Sequence, residues 1–342
     1  MEEGGKMIRA VCLNPVIDRT YHINGFQPGK KYFHLKPDLS VGGKGINVAK
    51  VCRLCGEETA VYGFIAGSNG HLIQEQVEEA GIEHYLIPID GNSRETINII
   101  DLDKGAETEI VEQGPSICKK QNEILLGKLE EDLEREDIVI CSGIQIDGAP
   151  EDIYSQINKL CKKSGALCFL DTNNITISEL KEQKYDFYKP NALEVAELFQ
   201  EKMLSQARLV QLVRELLQTE KQQILVSLGG EGGMLITKDK CLIANIPKVK
   251  VSSTIGSGDS TVAGFAVGVK RGWSQSECFR YAMACGVVNS LYTQVGIVDK
   301  KQVEEMKKCI EIIEWSGAKY DEYSKGIKES NMDFARNRRA SF

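Results

Sequence analysis

The stretch Thr254-Ile255-Gly256-Ser257-Gly258-Asp259-Ser260 carries the strongest clue to the fold of this 342-residue chain. The apolar residues at 261–266 favour a helix that begins at this loop. Two glycines free the backbone to present consecutive N–H groups at the helix N-terminus, whose partial positive charge favours a phosphate. The adjacent Asp259 could take the proton of an attacking hydroxyl, or it could only cap the helix. Both interpretations stay open on this stretch alone.

The known nucleotide-binding motifs do not explain this loop. The sequence contains no G-x-x-x-x-G-K-[ST], no H-R-D or D-F-G, and no G-x-G-x-x-G. A Walker ATPase, a protein kinase and a Rossmann dinucleotide enzyme therefore lose support.

Composition narrows the class of protein further. The formal net charge of −7 argues against nucleic acid as a partner, although a few local donors can still bind a small phosphorylated ligand. No apolar run approaches the ~20 residues that span a bilayer, which predicts a cytoplasmic protein without membrane contact. The 11 cysteines are scattered, which is typical of core residues in a reducing compartment. The pair Cys52 and Cys55 is more readily explained by packing than by redox or metal chemistry.

Short apolar strands and amphipathic helices alternate on both sides of the glycine loop. The pattern starts with a strand at 8–13, a helix at 46–55 and a strand at 60–65, and it ends in helices, the last predicted over 300–315. Such alternation indicates a mostly parallel sheet covered on both faces. Segments 19–39 and 95–112 break the rhythm, and the second reads as a hairpin that turns at Asp103-Lys104-Gly105. Together they predict a small projecting β-sheet.

Six motifs then occur in one order between residues 8 and 312: Leu13-Asn14-Pro15-x-x-Asp18, Gly42-Gly43-Lys44-Gly45-Ile46-Asn47-Val48-Ala49, Ser142-Gly143, Lys189-Pro190-Asn191-x-x-Glu194, Ser227-Leu228-Gly229-x-x-Gly232 and the loop from Gly256 to Asp259. In this order they resemble the PfkB branch of the ribokinase-like sugar kinases, especially its sugar-phosphate kinases. The resemblance implies a three-layer α/β/α fold with a mostly parallel central sheet and a small β-sheet lid. It implies one kinase domain over 1–316, with lid pieces at about 19–39 and 95–112, followed by a polar tail at 317–342.

By this resemblance Asp259 is the catalytic base. Gly256, Ser257 and Gly258 form the anion hole for the transferring γ-phosphoryl group. Relatives usually carry alanine at position 257, and a small serine should change little because main-chain N–H groups build the hole.

The resemblance also assigns the binding residues. Those expected to contact the sugar phosphate are Asp18, Lys30, Gly42, Gly43, Lys44, Asn47, Arg94, Asn98 and Ser142. Arg94 suits an existing phosphate because its planar fork binds phosphate through two hydrogen bonds. Those expected to contact ATP are Lys189, Asn191, Ser227, Gly229, Gly232 and Asn289. Asn191 and Glu194 are expected to hold Mg²⁺ through water, although the same spacing suits an asparagine cap with an exposed glutamate.

The function implied is ATP- and Mg²⁺-dependent phosphorylation of a ketohexose phosphate, foremost fructose 1-phosphate to fructose 1,6-bisphosphate. Tagatose 6-phosphate, fructose 6-phosphate and an unphosphorylated sugar or nucleoside are alternatives within the enzyme class. A non-catalytic sugar-phosphate sensor is the alternative outside it. The loop 144–150 departs from the Ser-Leu-Pro common in relatives, which bears on the acceptor. A homodimer through the lid is also implied.

Overall fold

The structure, a computed structural model, describes residues 6–202 and 204–315. Within these residues the strands form one ten-stranded sheet and one four-stranded sheet. The predicted architecture, a mostly parallel α/β body with a small second sheet, is confirmed. The predicted tail at 317–342 lies outside the described residues.

The large sheet mixes a parallel majority with an antiparallel edge. Its strands are β1 (Ile8–Cys12), β4 (Thr59–Ala66), β5 (Glu83–Ile89), β8 (Ile138–Ser142), β9 (Leu167–Asp171), β10 (Phe187–Tyr188), β11 (Gln223–Ser227), β12 (Gly233–Ile236), β13 (Cys241–Asn245) and β14 (Glu311–Glu314). Their spatial order is β5-β4-β1-β8-β9-β10-β11-β12-β13-β14. Pairing is parallel from β5 to β11 and antiparallel from β11 to β14. The early strands therefore build one half of the sheet and the late strands the other.

Helices cover both faces of this sheet. They are α1 (Lys44–Leu54), α2 (Gly67–Glu79), α3 (Lys119–Asp132), α4 (Ile153–Ser164), α5 (Ile177–Gln183), α6 (Ala192–Leu198), α7 (Gln206–Leu216), α8 (Ser257–Lys270), α9 (Gln275–Asn289) and α10 (Lys300–Lys308). Alternate residues of β1 belong to two separate cores: Ile8 and Ala10 pack with α1, α8 and α9, whereas Val11 packs with α3, α4 and α7. A central strand that is buried on both faces must be apolar throughout, as residues 8–12 are, apart from the paired Arg9. Cys52 and Cys55 lie in the first core, as expected for packing residues.

The small sheet consists of β2 (Val16–Ile23), β3 (Asp38–Gly42), β6 (Arg94–Asp101) and β7 (Ala106–Val111). Its order is β3-β2-β6-β7, with β2 and β6 parallel and the other two pairs antiparallel. The hairpin between β6 and β7 turns at the predicted residues, 103–105. Because β3 ends at Gly42 and α1 begins at Lys44, the small sheet joins the body directly at the glycines of the second motif.

The helix predicted over 300–315 is wrong in its second half. Helix α10 ends at Lys308, and β14 then pairs with β13 at the edge of the sheet. Ile312 and Ile313 of β14 satisfy the open backbone groups of β13, about 70 residues earlier in the chain. A local hydrophobic period cannot reveal such a distant partner.

In the described part of the chain, no helix is long and apolar enough to cross a membrane.

Candidate active site

The glycine loop at 254–260 forms the N-terminus of α8. Gly256 adopts a φ of 76°, and a Cβ there would lie 2.5 Å from Cγ1 of Val295, so this position requires glycine. The amide of Ser257 donates to the carbonyl of Thr254 at 3.3 Å. The next two amides, at 258 and 259, donate to no group among the described residues. They are the free donors that a helix N-terminus offers an anion.

Asn289 holds this loop in place. Its side chain is fully buried, and Nδ2 donates to the carbonyl of Ile255 at 2.9 Å. Its Oδ1 accepts from the amide of Gly296 at 3.0 Å, which fixes the segment that contains Gly296. The predicted nucleotide residue Asn289 therefore contacts the anion-binding loop from behind, and its two hydrogen-bonding atoms are already used.

Asp259 is buried at the first turn of α8, where it faces α1. Nδ2 of Asn47 donates to its Oδ2 at 2.8 Å. Burial, with a smaller contribution from the charge of Asp171, raises the pKa of Asp259 to about 6, although Lys44 and the Asn47 hydrogen bond oppose the rise. A carboxylate with this pKa is ionised at neutral pH and still binds a proton more strongly than an ordinary aspartate, as a general base should.

A second buried carboxylate, Asp171, lies at the end of β9 and holds two lysines. The Nζ atoms of Lys44 and Lys189 each lie 3.4 Å from its Oδ1, and Ser142 Oγ donates to its Oδ2 at 3.4 Å. Burial alone would raise the pKa of Asp171, but the two ammonium groups outweigh burial and lower it. Lys189 also reaches the glycine loop, because a Cβ on Gly258 would lie 3.3 Å from its Nζ. Two cations thus flank the anion-binding amides.

The motif at 42–47 is packed tightly against the end of β1. Gly43 has a φ of 103°, and a Cβ there would lie 2.7 Å from Sγ of Cys12. A Cβ on Gly45 would lie 2.6 Å from the carbonyl of Val11. These close approaches bring the start of α1, with Lys44 and Asn47, over the carboxyl end of β1. A ligand binding between α1 and α8 would therefore meet the edge at which parallel strands place their sites.

Asp18 and Arg94 reach the same place from the small sheet. A Cβ on Gly42 would lie 2.4 Å from Oδ2 of Asp18, so the carboxylate lies directly against the second motif. Burial raises the pKa of Asp18 to about 6, while the charge of Arg94 opposes the rise. Arg94 and Asp259 both influence the pKa of the buried Cys12 thiol, which burial raises to about 11. The charges of Arg94, from the small sheet, and of Asp259, from α8, therefore both act at Cys12, at the end of β1.

Two further predicted residues of the small sheet differ in position. Asn98 lies on β6 and is buried, and its Oδ1 has no hydrogen-bond partner among the described residues. Such an oxygen is an available acceptor for a ligand hydroxyl. Lys30 lies in the exposed loop between β2 and β3, where its side chain makes no hydrogen bond or ion pair within the described chain. The structure places Asn98 in the small sheet beside Thr20, whereas no hydrogen bond or ion pair among the described residues joins Lys30 to another predicted site residue.

The remaining predicted residues follow the late strands of the sheet. Asn191 and Glu194 form a capping box at the start of α6: Asn191 Oδ1 accepts from the Glu194 amide at 2.9 Å, and Glu194 Oε2 accepts from the Asn191 amide at 2.7 Å. Ser227, at the end of β11, pairs with Asn191 through an isolated bridge. Beyond it, Gly229 lies open, and Gly232 is pressed against the carbonyl of Ala244, from which a Cβ would be only 2.0 Å away.

The metal prediction can be tested against these contacts. The described residues contain no group of three or more His, Cys, Asp and Glu side chains able to hold a metal ion. A Mg²⁺ ion that keeps most of its waters needs only one or two carboxylates in addition to phosphate oxygens. One carboxylate oxygen of Glu194 takes no part in the capping box. The negative charge of Glu194 contributes to the raised pKa of Lys44. The residues present therefore fit a Mg²⁺ ion that is held mostly through water.

Comparison with known proteins identifies the family. Residues 12–301 match the pfkB family of carbohydrate kinases. The chain belongs to this family. It is 33% identical over 311 residues to tagatose-6-phosphate kinase of Staphylococcus epidermidis, covering 90% of this chain and 100% of the relative. It is 31% identical over 290 residues to 1-phosphofructokinase of Bacillus subtilis, covering 85% of this chain and 94% of the relative. The protein is thus a sugar-phosphate kinase of the pfkB family, which implies ATP as co-substrate.

Solved structures support the same fold. A Staphylococcus aureus protein assigned as a phosphofructokinase superposes with a TM-score of 0.75 at 30% identity, covering 91% of this chain and 99% of that one. Escherichia coli phosphofructokinase-2 superposes with a TM-score of 0.81 at 20% identity, covering 89% and 98%. The fold is therefore ribokinase-like, as the motifs implied.

One central residue of this pfkB kinase, Asp171, was not among those predicted from the sequence. A signal for it existed, because apolar runs at 138–141 and 166–170 favour strands that end at Ser142 and Asp171, and parallel strands gather their carboxyl ends. Its partners Lys44 and Lys189 lie far away in the sequence, so their convergence became visible only in the structure.

Proposed function

We propose that this protein transfers the γ-phosphoryl group of ATP to a primary hydroxyl of a ketohexose phosphate, foremost fructose 1-phosphate. The observation that supports this most is the buried carboxylate of Asp259, which lies beside the free amides of α8 and is oriented by Asn47. A protein that only binds sugar phosphates would have no need of such a base.

In the proposed reaction the substrate hydroxyl oxygen attacks the γ-phosphorus while its proton passes to Asp259. The bond between the γ-phosphorus and its bridging oxygen breaks, and ADP leaves with the electron pair. Asn47 keeps the carboxylate aimed at the hydroxyl, since it donates to the Oδ2 of Asp259 at 2.8 Å. Positioning and charge stabilisation supply most of the catalysis in such a transfer.

The transferring group carries negative charge, which three features of the site offset. The free amides at 258 and 259 donate hydrogen bonds along the dipole of α8. Lys189 lies beside Gly258, and Lys44 shares the Asp171 carboxylate with it. Because Asp171 fixes both ammonium groups before the ligands bind, little reorganisation is needed during the transfer.

The acceptor would lie between Asp259 and the small sheet. Asp18 can accept hydrogen bonds from sugar hydroxyls, and Asn98 has an unpartnered oxygen nearby on β6. Arg94 would bind the phosphate already on the sugar, with Lys30 assisting from its loop. A ketohexose phosphate carries its phosphate and its free primary hydroxyl at opposite ends, which matches Arg94 on one side and Asp259 on the other.

ATP would bind along the late strands, against Lys189, Asn191, Ser227, Gly229 and Gly232. Asn191 and Glu194 would hold Mg²⁺ through water beside the phosphates, where the ion neutralises part of their charge. The capping box orients both side chains before the nucleotide arrives.

Tagatose 6-phosphate is the second candidate acceptor, because the Staphylococcus epidermidis relative is a kinase for that sugar. We also propose a homodimer through the small sheet, in the cytoplasm. Leu39, Ile110 and Val111 of this sheet are 46%, 51% and 53% exposed, and burial of these side chains would favour association.

A panel assay tests the proposal. ADP release is measured with fructose 1-phosphate, tagatose 6-phosphate, fructose 6-phosphate and fructose, each with ATP and Mg²⁺. We expect the highest kcat/KM with fructose 1-phosphate and weak activity with fructose. Saturable binding of a sugar phosphate without turnover would favour a sensor instead. Asp259→Asn is the matched control, because it should bind both ligands and release no ADP.

A further inference from the structure

A half-buried lysine outside the predicted site connects the body of the enzyme to the small sheet. Lys50 lies on α1, and because helical side chains tilt toward the N-terminus, its chain runs back toward β3. Its Nζ donates to the carbonyl of Val41, the last residue but one of that strand. Lys50 therefore spans the junction at which the small sheet joins α1.

This contact fixes the residues that position Asp18. Val41 is followed by Gly42, whose close approach to Asp18 Oδ2 leaves no room for a side chain. Strand β3 also pairs with β2 from Val16↔Gly42 to Asp18↔Ser40, so a shift of Val41 would move Asp18. The hydrogen bond of Lys50 is thus one link in a continuous set of contacts from α1 to Asp18, the carboxylate proposed to bind the acceptor sugar.

The charge of Lys50 also acts on Asp18. The charged groups that influence Asp18 are Arg94 from β6, Glu109 from β7 and Lys50 from α1. Within the described chain, Lys50 forms no ion pair closer than 4.0 Å to a carboxylate. Burial lowers the pKa of Lys50 to about 8, while the charge of Asp18 opposes the fall. The ammonium group of Lys50 thus lies close enough to act on Asp18, although burial makes its charged form less stable.

We propose that Lys50 is a positioning residue for the acceptor: its hydrogen bond to Val41 fixes β3 at the junction and thereby holds Asp18 in place to receive the sugar hydroxyls. This role rests on the function proposed above. It extends the acceptor site by a residue that need not touch the substrate.

Steady-state kinetics with the best acceptor of the panel test this role in Lys50→Met, Lys50→Gln and Lys50→Arg. For Lys50→Met we expect the KM of the acceptor to rise about fivefold, because one hydrogen bond is lost. The KM of ATP should not change. The acid limb of kcat/KM for the acceptor should move to higher pH, because Asp18 loses a cation that lowers its pKa. Lys50→Gln can still donate to Val41, so it should shift the limb with a smaller change in KM.

Lys50→Arg provides a readout that does not depend on a weakened fold. In the wild type the acceptor KM should rise above about pH 8 as Lys50 loses its proton. Arginine stays protonated, so the acceptor KM of Lys50→Arg should stay flat up to about pH 9.5. Lys270→Met is the control, since Lys270 is another partly buried helix lysine that donates to a backbone carbonyl, Glu58 O, and it lies at the far end of α8, where it also pairs with Glu57.

Three outcomes would overturn the role of Lys50 while the wild type remains active: an unchanged acceptor KM in Lys50→Met, equal increases in both KM values, or the same alkaline rise in the wild type and Lys50→Arg. A wild type that turns over no sugar phosphate would instead refute the proposed function. The two failures are therefore distinguishable.

Discussion

Asp259→Asn should abolish turnover and also make the protein harder to unfold at neutral pH. Burial raises the pKa of Asp259 from 3.8 to about 6. Ionisation of this carboxylate therefore costs the native state more than the unfolded chain, by roughly 3 kcal/mol once both states are ionised. Asparagine has the same shape and can still accept from Asn47, but it carries no charge and avoids this cost.

The direction in which the unfolding free energy changes with pH follows from the number of protons that each state binds. Between about pH 4 and 6 the native protein binds more protons at Asp259 than the unfolded chain, so the wild type loses stability as the pH rises through this range. From pH 5 to pH 8 the remaining loss is roughly 1 to 2 kcal/mol. Asp259→Asn lacks this loss, so its advantage over the wild type should widen by that amount.

Urea unfolding followed by circular dichroism at pH 5, 6, 7 and 8 measures the difference. Asp90→Asn is the control, because Asp90 is exposed and its replacement makes the same change in charge. Its unfolding free energy should run parallel to that of the wild type. A constant or narrowing gap between the wild type and Asp259→Asn would refute the electrostatic reasoning, and a near-normal kcat would refute the role of Asp259 as base.

Three further substitutions test other parts of the site. Arg94→Ala should raise the KM of the sugar phosphate by about 10- to 100-fold with little change for ATP, since two charge-assisted hydrogen bonds are lost; equal effects on both substrates in steady-state kinetics would contradict this. Gly256→Ala should lower the unfolding free energy by about 1–3 kcal/mol and reduce kcat, because φ is positive and Val295 blocks the Cβ; unchanged urea denaturation and turnover would show that the loop tolerates a side chain. Asp171→Asn should move the acid limb of kcat to lower pH, because the charge of Asp171 helps raise the pKa of Asp259; a pH-rate profile with a fixed limb would exclude that coupling.

Much of the fold could be predicted from local patterns. Strand β1 and helix α1 follow from an apolar run and a helical period, and the β6–β7 hairpin follows from its turn residues. Strand β14 could not be predicted, because its reason for being a strand is the open edge of β13. Helices α3 and α5 were also missed; neither shows the clear apolar period that identified α1.

The sequence carries a signal for individual residues of the candidate site but none for the contacts between them. Glycine at 42, 43 and 256 could be singled out because each position demands a conformation or a close approach that other residues resist. The hydrogen bond from Asn47 to Asp259 joins residues 212 positions apart. The roles of Asp171 and Lys50 likewise depend on partners that no local pattern reveals.

The division of the large sheet into an early and a late half has a consequence for recombination between related genes. The residues proposed to bind the acceptor lie between Asp18 and Ser142, whereas those proposed for ATP and the base lie after Asp171. A crossover within α4 (Ile153–Ser164) would therefore exchange the acceptor module between two parents in one step. The polar seam that such a chimera must preserve includes the contacts of Asn47 with Asp259, of Lys44 and Ser142 with Asp171, and of Glu57 with Lys270 and Arg271. Shuffled kinases with new sugar preferences should be accessible from a single junction where both parents share these residues.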